Sequence, residues 1–127
     1  MPEIEINRSG DCGNSPKNQL VENVSVALAT ADVDSLSEWV TDEARWEVVG
    51  GPTARGRSEL AAAVERSGRE EPTAVTIEHV VTHGKAGAVS GRVAFGQRTR
   101  EFCDVYEFSS ARGTHVKSVK SYRIDTD

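Results

Sequence analysis

Between residues 73 and 124 the chain runs through four strand-like segments, Thr73–Thr82, Ala86–Phe95, Thr99–Ser109 and His115–Ile124, with very short joints between the first three. Successive side chains on a strand point to opposite faces, so alternating segments of this kind are half-buried strands. Gly84-Lys85 and Gly96-Gln97 are too short to hold a crossover helix and fit hairpins, and the third joint is a polar loop containing Gly113. A large part of the chain is thereby committed to an antiparallel sheet.

What precedes this block reads as helical. Ser15 is a capping residue, Pro16 suits a first helical position, and Leu20, Val24, Ala27, Leu28 and Ala31 recur at steps of three and four. A second helical piece follows, capped by Asp32 or Ser35, with Leu36 and Trp39 facing inward. Arg45–Val49 is a strand ended by Gly50-Gly51-Pro52, and Arg57–Ser67 is a third helix with Leu60, Ala61 and Val64 on its inner stripe. Residues 1–15 carry glycine, asparagine and serine with few apolar anchors, and are read as a flexible leader before a single domain at 16–127. Helices in front and strands behind predict an α+β fold in which a strongly curved, mostly antiparallel sheet wraps three helices and leaves a concavity.

Length and charge narrow the partners. With 127 residues the chain fits one core, and 15 Lys and Arg against 20 Asp and Glu give a net charge of −5 with no basic stripe, which argues against nucleic acid. No apolar run approaches a membrane span and no signal-peptide layout is present, so a soluble cytoplasmic protein is expected. Cys12 and Cys103 are read as reduced thiols, and neither they nor the three histidines have metal-site spacing. No phosphate-cradling loop or nucleophile elbow occurs, which leaves proton transfer without metal or cofactor.

The segment Phe102-Cys103-Asp104-Val105-Tyr106-Glu107-Phe108 carries the strongest chemical signal. Alternation puts Asp104 on one face with Phe102, Tyr106 and Phe108, and a carboxylate among rings is either partnered or held with a raised pKa. The plainer reading is a rim position where Asp104 meets water. By the same alternation His79 is in phase with Val75, Ile77 and Val81, where it either shares a proton with Asp104 or serves as a structural histidine. Tyr106 and Tyr122 bring phenols to an apolar face, to orient a ligand oxygen or simply to pack. Trp39, Trp46, Phe95, Phe102 and Phe108 are candidate cavity walls, or ordinary core.

Asn23–Ala31, Asp32-Val33-Asp34-Ser35-Leu36, Arg45–Gly51 and Arg55-Gly56-Arg57, with Cys103–Phe108 and Lys117–Tyr122 behind them, resemble nuclear-transport-factor-2-like (NTF2-like, cystatin-like) proteins. The resemblance is to the branch of SnoaL-like polyketide cyclases and ketosteroid isomerases, and covers about residues 18–125. It implies a cone-shaped pocket, with Asp104 matching the strand carboxylate used in acid-base roles. Epoxide hydrolases of this fold add an arginine two residues earlier and an aspartate on the last strand, where this chain has Phe102 and Ser121, which disfavours that activity. The isomerases' general-base position falls on Glu47, so either Glu47 or Asp104 is the functional carboxylate.

The expected function is binding of a small hydrophobic organic ligand, with cofactor-independent isomerase, cyclase or dehydratase chemistry at Asp104, His79 and Tyr106 and a pocket walled by Trp39, Trp46, Phe102, Phe108 and Tyr122. The alternative is a non-catalytic carrier or dimerisation module. A homodimer is expected through an outer sheet face bearing Val80, Cys103, Val105 and Val119.

Overall fold

The computed structural model describes residues 3–126. Helix α1, Pro16–Thr30, starts as expected, with the Ser15 hydroxyl accepting the Asn18 N–H at 3.2 Å and Pro16 in the first turn. It stops at Ala31, which takes the left-handed conformation at φ 58°, while the Asp32 N–H reaches back to the Ala27 carbonyl. Asp32 then caps α2, Val33–Trp39, by accepting from Ser35 N at 3.2 Å and Ser35 Oγ at 2.7 Å. Helix α3, Arg57–Ser67, buries Leu60 and Val64.

The sheet has seven strands. They are β1 (Glu5–Asn7), β2 (Val40–Val48), β3 (Thr53–Arg55), β4 (Ala74–His83), β5 (Ala86–Phe95), β6 (Arg98–Phe108) and β7 (Val116–Thr126), in the order β1-β4-β5-β6-β7-β2-β3. Strands β4 to β7 form the expected antiparallel meander, and β2 returns parallel to β7, with Trp46 opposite Val119. The helices cover the concave face, so the core is built of Val21, Val24, Leu28, Leu36, Leu60 and Val64 against Val75, Val89, Tyr106, Phe108 and Val116.

Four sequence expectations are corrected. The leader is anchored rather than loose from Glu5 on: β1 lies parallel to β4, and the chain beyond it is tied to the buried Glu22 of α1. That carboxylate accepts from Arg8 Nη1 at 3.0 Å, Ser9 N at 3.1 Å, Ser9 Oγ at 2.7 Å and Cys12 Sγ at 3.4 Å. Met1 and Pro2 of that leader lie outside the described residues. A second correction is a register shift in β4 between Ile77 and His79, which inserts Glu78 and reverses the alternation. Val80 is thereby buried, Val81 is 62% exposed and His79 points outward. Third, Val119 is buried, so Ser121 and Arg123 share its concave face and Tyr122 lies on the convex one. Finally, β2 begins at Val40, directly after α2, and the turn at Gly50-Gly51-Pro52 pairs it with the short β3.

One glycine is required by close packing. A Cβ on Gly91 in β5 would stand 2.2 Å from the Thr76 carbonyl oxygen and 3.0 Å from the Phe102 ring, so the bare backbone lets that ring lie across β5 beside the cavity.

Candidate functional site

Asp104 is the centre of the site. It sits mid-strand on β6, opposite Val89 on one side and Ser121 on the other, with its side chain toward α1 and only 3% of its surface exposed. Its two oxygens are treated differently. Oδ1 accepts from Ser121 Oγ at 2.5 Å, and Ser121 Oγ in turn accepts from Trp46 Nε1 at 2.9 Å. Oδ2 accepts from Ser25 Oγ at 2.7 Å, and the Ser25 hydroxyl also makes a short hydrogen bond with the Tyr106 phenol.

An indole N–H can only donate, so Ser121 accepts from Trp46 with one of its lone pairs and gives its own hydrogen to Oδ1. Ser25 and Tyr106 are both hydroxyls whose donor and acceptor roles can exchange. A proton bound at Oδ2 is met by Ser25, which turns from donor to acceptor there. Burial pushes the Asp104 carboxyl above its ordinary range, against the pull of the Ser121 and Ser25 hydroxyls, the Arg123 charge and the Tyr106 phenol. Burial, reinforced by Asp104, likewise holds the Tyr106 phenol well above its ordinary value, so it stays neutral.

Two recesses that share lining residues lie beside this network. The inner one, about 30 Å³ and roomy enough for water-sized groups, is lined by Ser25, Leu28, Val93, Phe102, Asp104 and Arg123 among others. The outer one, about 500 Å³, lies between α3 and β2–β3 and is lined by Trp46, Val48, Ala54, Ala63 and Arg66. Arg123 and Ser67 border both. The Arg123 guanidinium lies 5.1 Å from the centre of the Trp46 ring.

The structure brings together Asp104, Tyr106, Phe102 and Trp46 of the sequence-selected residues. His79 is not among them: its ring is 81% exposed, with Nδ1 3.7 Å from Asp11 on the leader. Tyr122 is 43% exposed on the convex face, the half-buried Trp39 at the end of α2 borders neither recess, and Phe108 is core beneath Lys17. Glu47 is half-buried outside both recesses. Ser25 and Arg123 were missed. Each carried a signal, since Ser25 is a hydroxyl on the Val21–Val24–Leu28 stripe and Arg123 is a charge in phase with Val119.

Residues 21–117 match the SnoaL-like domain. The chain belongs to that family. The SnoaL-like match includes Ser25, Trp46, Asp104 and Tyr106 and ends before Ser121 and Arg123. No curated protein matches significantly. Among solved structures, a protein designated a SnoaL-like polyketide cyclase from Jannaschia sp. CCS1 is similar at 15% identity and TM-score 0.72, covering 87% of this chain and 89% of that one. An LEH-like epoxide hydrolase of M. tuberculosis is similar at 22% identity and TM-score 0.63, covering 85% and 82%. An NTF2-like protein of unknown function from Cytophaga hutchinsonii is similar at 15% identity and TM-score 0.66, covering 85% and 99%. At such identities these likenesses establish the NTF2-like fold of this SnoaL-like chain.

Proposed function

We propose that this protein binds a small hydrophobic carbonyl compound with its body in the outer recess and its reacting carbon reaching the inner one beside Asp104, and moves a proton on it without a cofactor, in an isomerase or cyclase type of reaction. The observation that supports this reading is a carboxyl group on the wall of a recess lined by both apolar and polar side chains, held there by two hydroxyls, with its pKa raised by burial as a general base requires. In the ionised form Oδ2 takes a proton from the carbon next to the carbonyl. The C–H electron pair passes to the carbonyl oxygen as an enolate, the proton on Asp104 exchanges with solvent, and Asp104 then delivers a proton to the same carbon, to another carbon or to the oxygen. Ser25 lines the recess and orients the ligand oxygen, while Tyr106 acts through Ser25 as a positioning residue.

Proton transfer of this kind is read as deuterium exchange at the α-carbon of cyclohexanone and 1-tetralone in D2O by proton NMR. The protein is expected to accelerate exchange, and Asp104→Asn to lose roughly a hundredfold or more of that acceleration while keeping its fold. Equal exchange by wild type and variant would sink the catalytic reading.

A second reading draws on a specific observation: both Asp104 oxygens already have hydroxyl partners, as in a purely structural network. On that reading the protein is a carrier, and Asp104→Asn changes ligand affinity with no turnover to lose. Under either reading the convex face, with Val81 and Val105 exposed beside Tyr122, supports a homodimer, and the free cysteines Cys12 and Cys103 suit a reducing compartment such as the cytoplasm.

A further inference from the structure

Arg123 is the charged residue that borders both recesses, and the proton-transfer reading leaves its role open. Its side chain is drawn in from solvent beside the Trp46 ring, burial pulls its pKa below the ordinary guanidinium value, and among the described residues it forms no ion pair or hydrogen bond. The neighbouring charges are already engaged: Arg100 pairs with Asp125 at 2.7 Å, and Glu59 accepts the Arg55 backbone N–H at 3.0 Å. Asp104 has both oxygens taken by serine hydroxyls. A partly desolvated guanidinium whose nearest negative group, Asp104, acts only through space and has its oxygens on serine hydroxyls is free to take a further anion, and its planar fork matches a carboxylate in two-point geometry.

Its position says where that negative group sits. Arg123 forms part of the wall of both the inner recess and the outer cleft, and the outer cleft has the volume of a small-molecule site, with an apolar wall of Trp46, Val48, Pro52, Ala54, Ala62 and Ala63. We propose that the two recesses are one binding channel for a hydrophobic carboxylic acid, whose carboxylate docks on Arg123 at their junction while its apolar body fills the cleft between α3 and β2–β3. The inner recess then receives the small carbon segment nearest Asp104 and Ser25. Arg66 on the outer wall adds to the attraction and Glu59 offsets part of it, so two arginines against one carboxylate line the cleft of a chain whose net charge is −5. This assignment rests on the recess being a ligand site, and it names the class of ligand.

The test uses a matched pair of probes, 2-naphthoate and the neutral 2-naphthamide, titrated into the 15N-labelled protein with binding read at the Trp46 indole N–H and at Ala62 and Ala63. The acid is expected to bind roughly tenfold or more tightly than the amide. It alone is expected to shift the Arg123 Nε–H signal. Arg123→Gln should abolish the preference for the acid over the amide, and Arg123→Lys should retain part of it. Equal affinities in wild type, or a preference that survives Arg123→Gln, would overturn the carboxylate assignment and leave the hydrophobic site intact. Binding of neither probe would overturn the site together with the assignment. If Arg123→Gln does not fold, the wild-type preference and the Arg123 Nε–H shift decide the matter between them.

Discussion

Asp104 joins two properties that oppose each other in stability. Its folded-state pKa lies above the unfolded value, so the protonated form gains on folding. That contribution is complete below the unfolded carboxyl pKa of about 3.9 and is lost as pH rises through the folded value. Asp104→Asn copies the protonated form, with the amide oxygen taking the Ser121 bond and the NH2 pointing at Ser25. Thermal melts are therefore expected to show the variant ahead of wild type by about 1 kcal/mol or more at pH 8, shrinking toward zero at pH 4. A difference constant across that range would contradict the raised pKa. Strand alternation alone made Asp104 legible in the sequence, because the residues around it form regular β6. For His79 the same rule failed, since nothing in Val75–Val81 marks the extra residue that turns β4 over. Tyr122 was misplaced for a related reason: an aromatic and an arginine alternate on β7, and the buried Val119 and the Ser121 network turn the arginine's side inward.

At the level of elements, the close joints of the β4–β7 meander made the sheet readable, while β1 and β3 escaped notice. Each of those is three residues long and depends on a partner far away or across a turn, with no periodicity of its own. The leader illustrates what composition hides. Glu22 is a buried acid on the inward side of α1; burial raises its pKa, but the Ser9, Arg8 and Cys12 donors outweigh this and leave it lowered. Its contribution is accordingly present above the unfolded value and lost as pH falls through the folded one. Glu22→Gln is expected to cost about 1–2 kcal/mol and to speed amide hydrogen exchange in residues 5–12, with little change elsewhere. On β5, Gly91→Ala drives a methyl into the Thr76 carbonyl and the Phe102 ring, for an expected loss of about 2–3 kcal/mol by chemical denaturation. Displacement of Phe102 would also alter the wall of the inner recess, which the Trp46 and Phe102 NMR signals report.

For the molecule as a whole, the α+β architecture and the single core followed from element order, whereas the site did not. Its parts come from α1, β2, β6 and β7, whose meeting is a tertiary fact, and two of them, Ser25 and Arg123, are unremarkable residues until the sheet curls over the helix. The convex face was expected to expose Val80, Cys103, Val105 and Val119; Val105 is exposed there, with Val81 in place of Val80 and Ile124 in place of Val119. Sedimentation velocity at micromolar concentration is expected to show a dimer, and Val105→Lys a monomer; a wild-type monomer would mean that this face meets only solvent.

The Trp46–Ser121 pair reaches further than orientation. With Oδ1 held by Ser121, the proposed proton transfer is expected to run through the other oxygen, from the Ser25 side. A ligand lodged there presents a single face to the acid. The deuterium introduced at a prochiral carbon would consequently have one handedness, and a racemic label would mean that the exchange took place elsewhere.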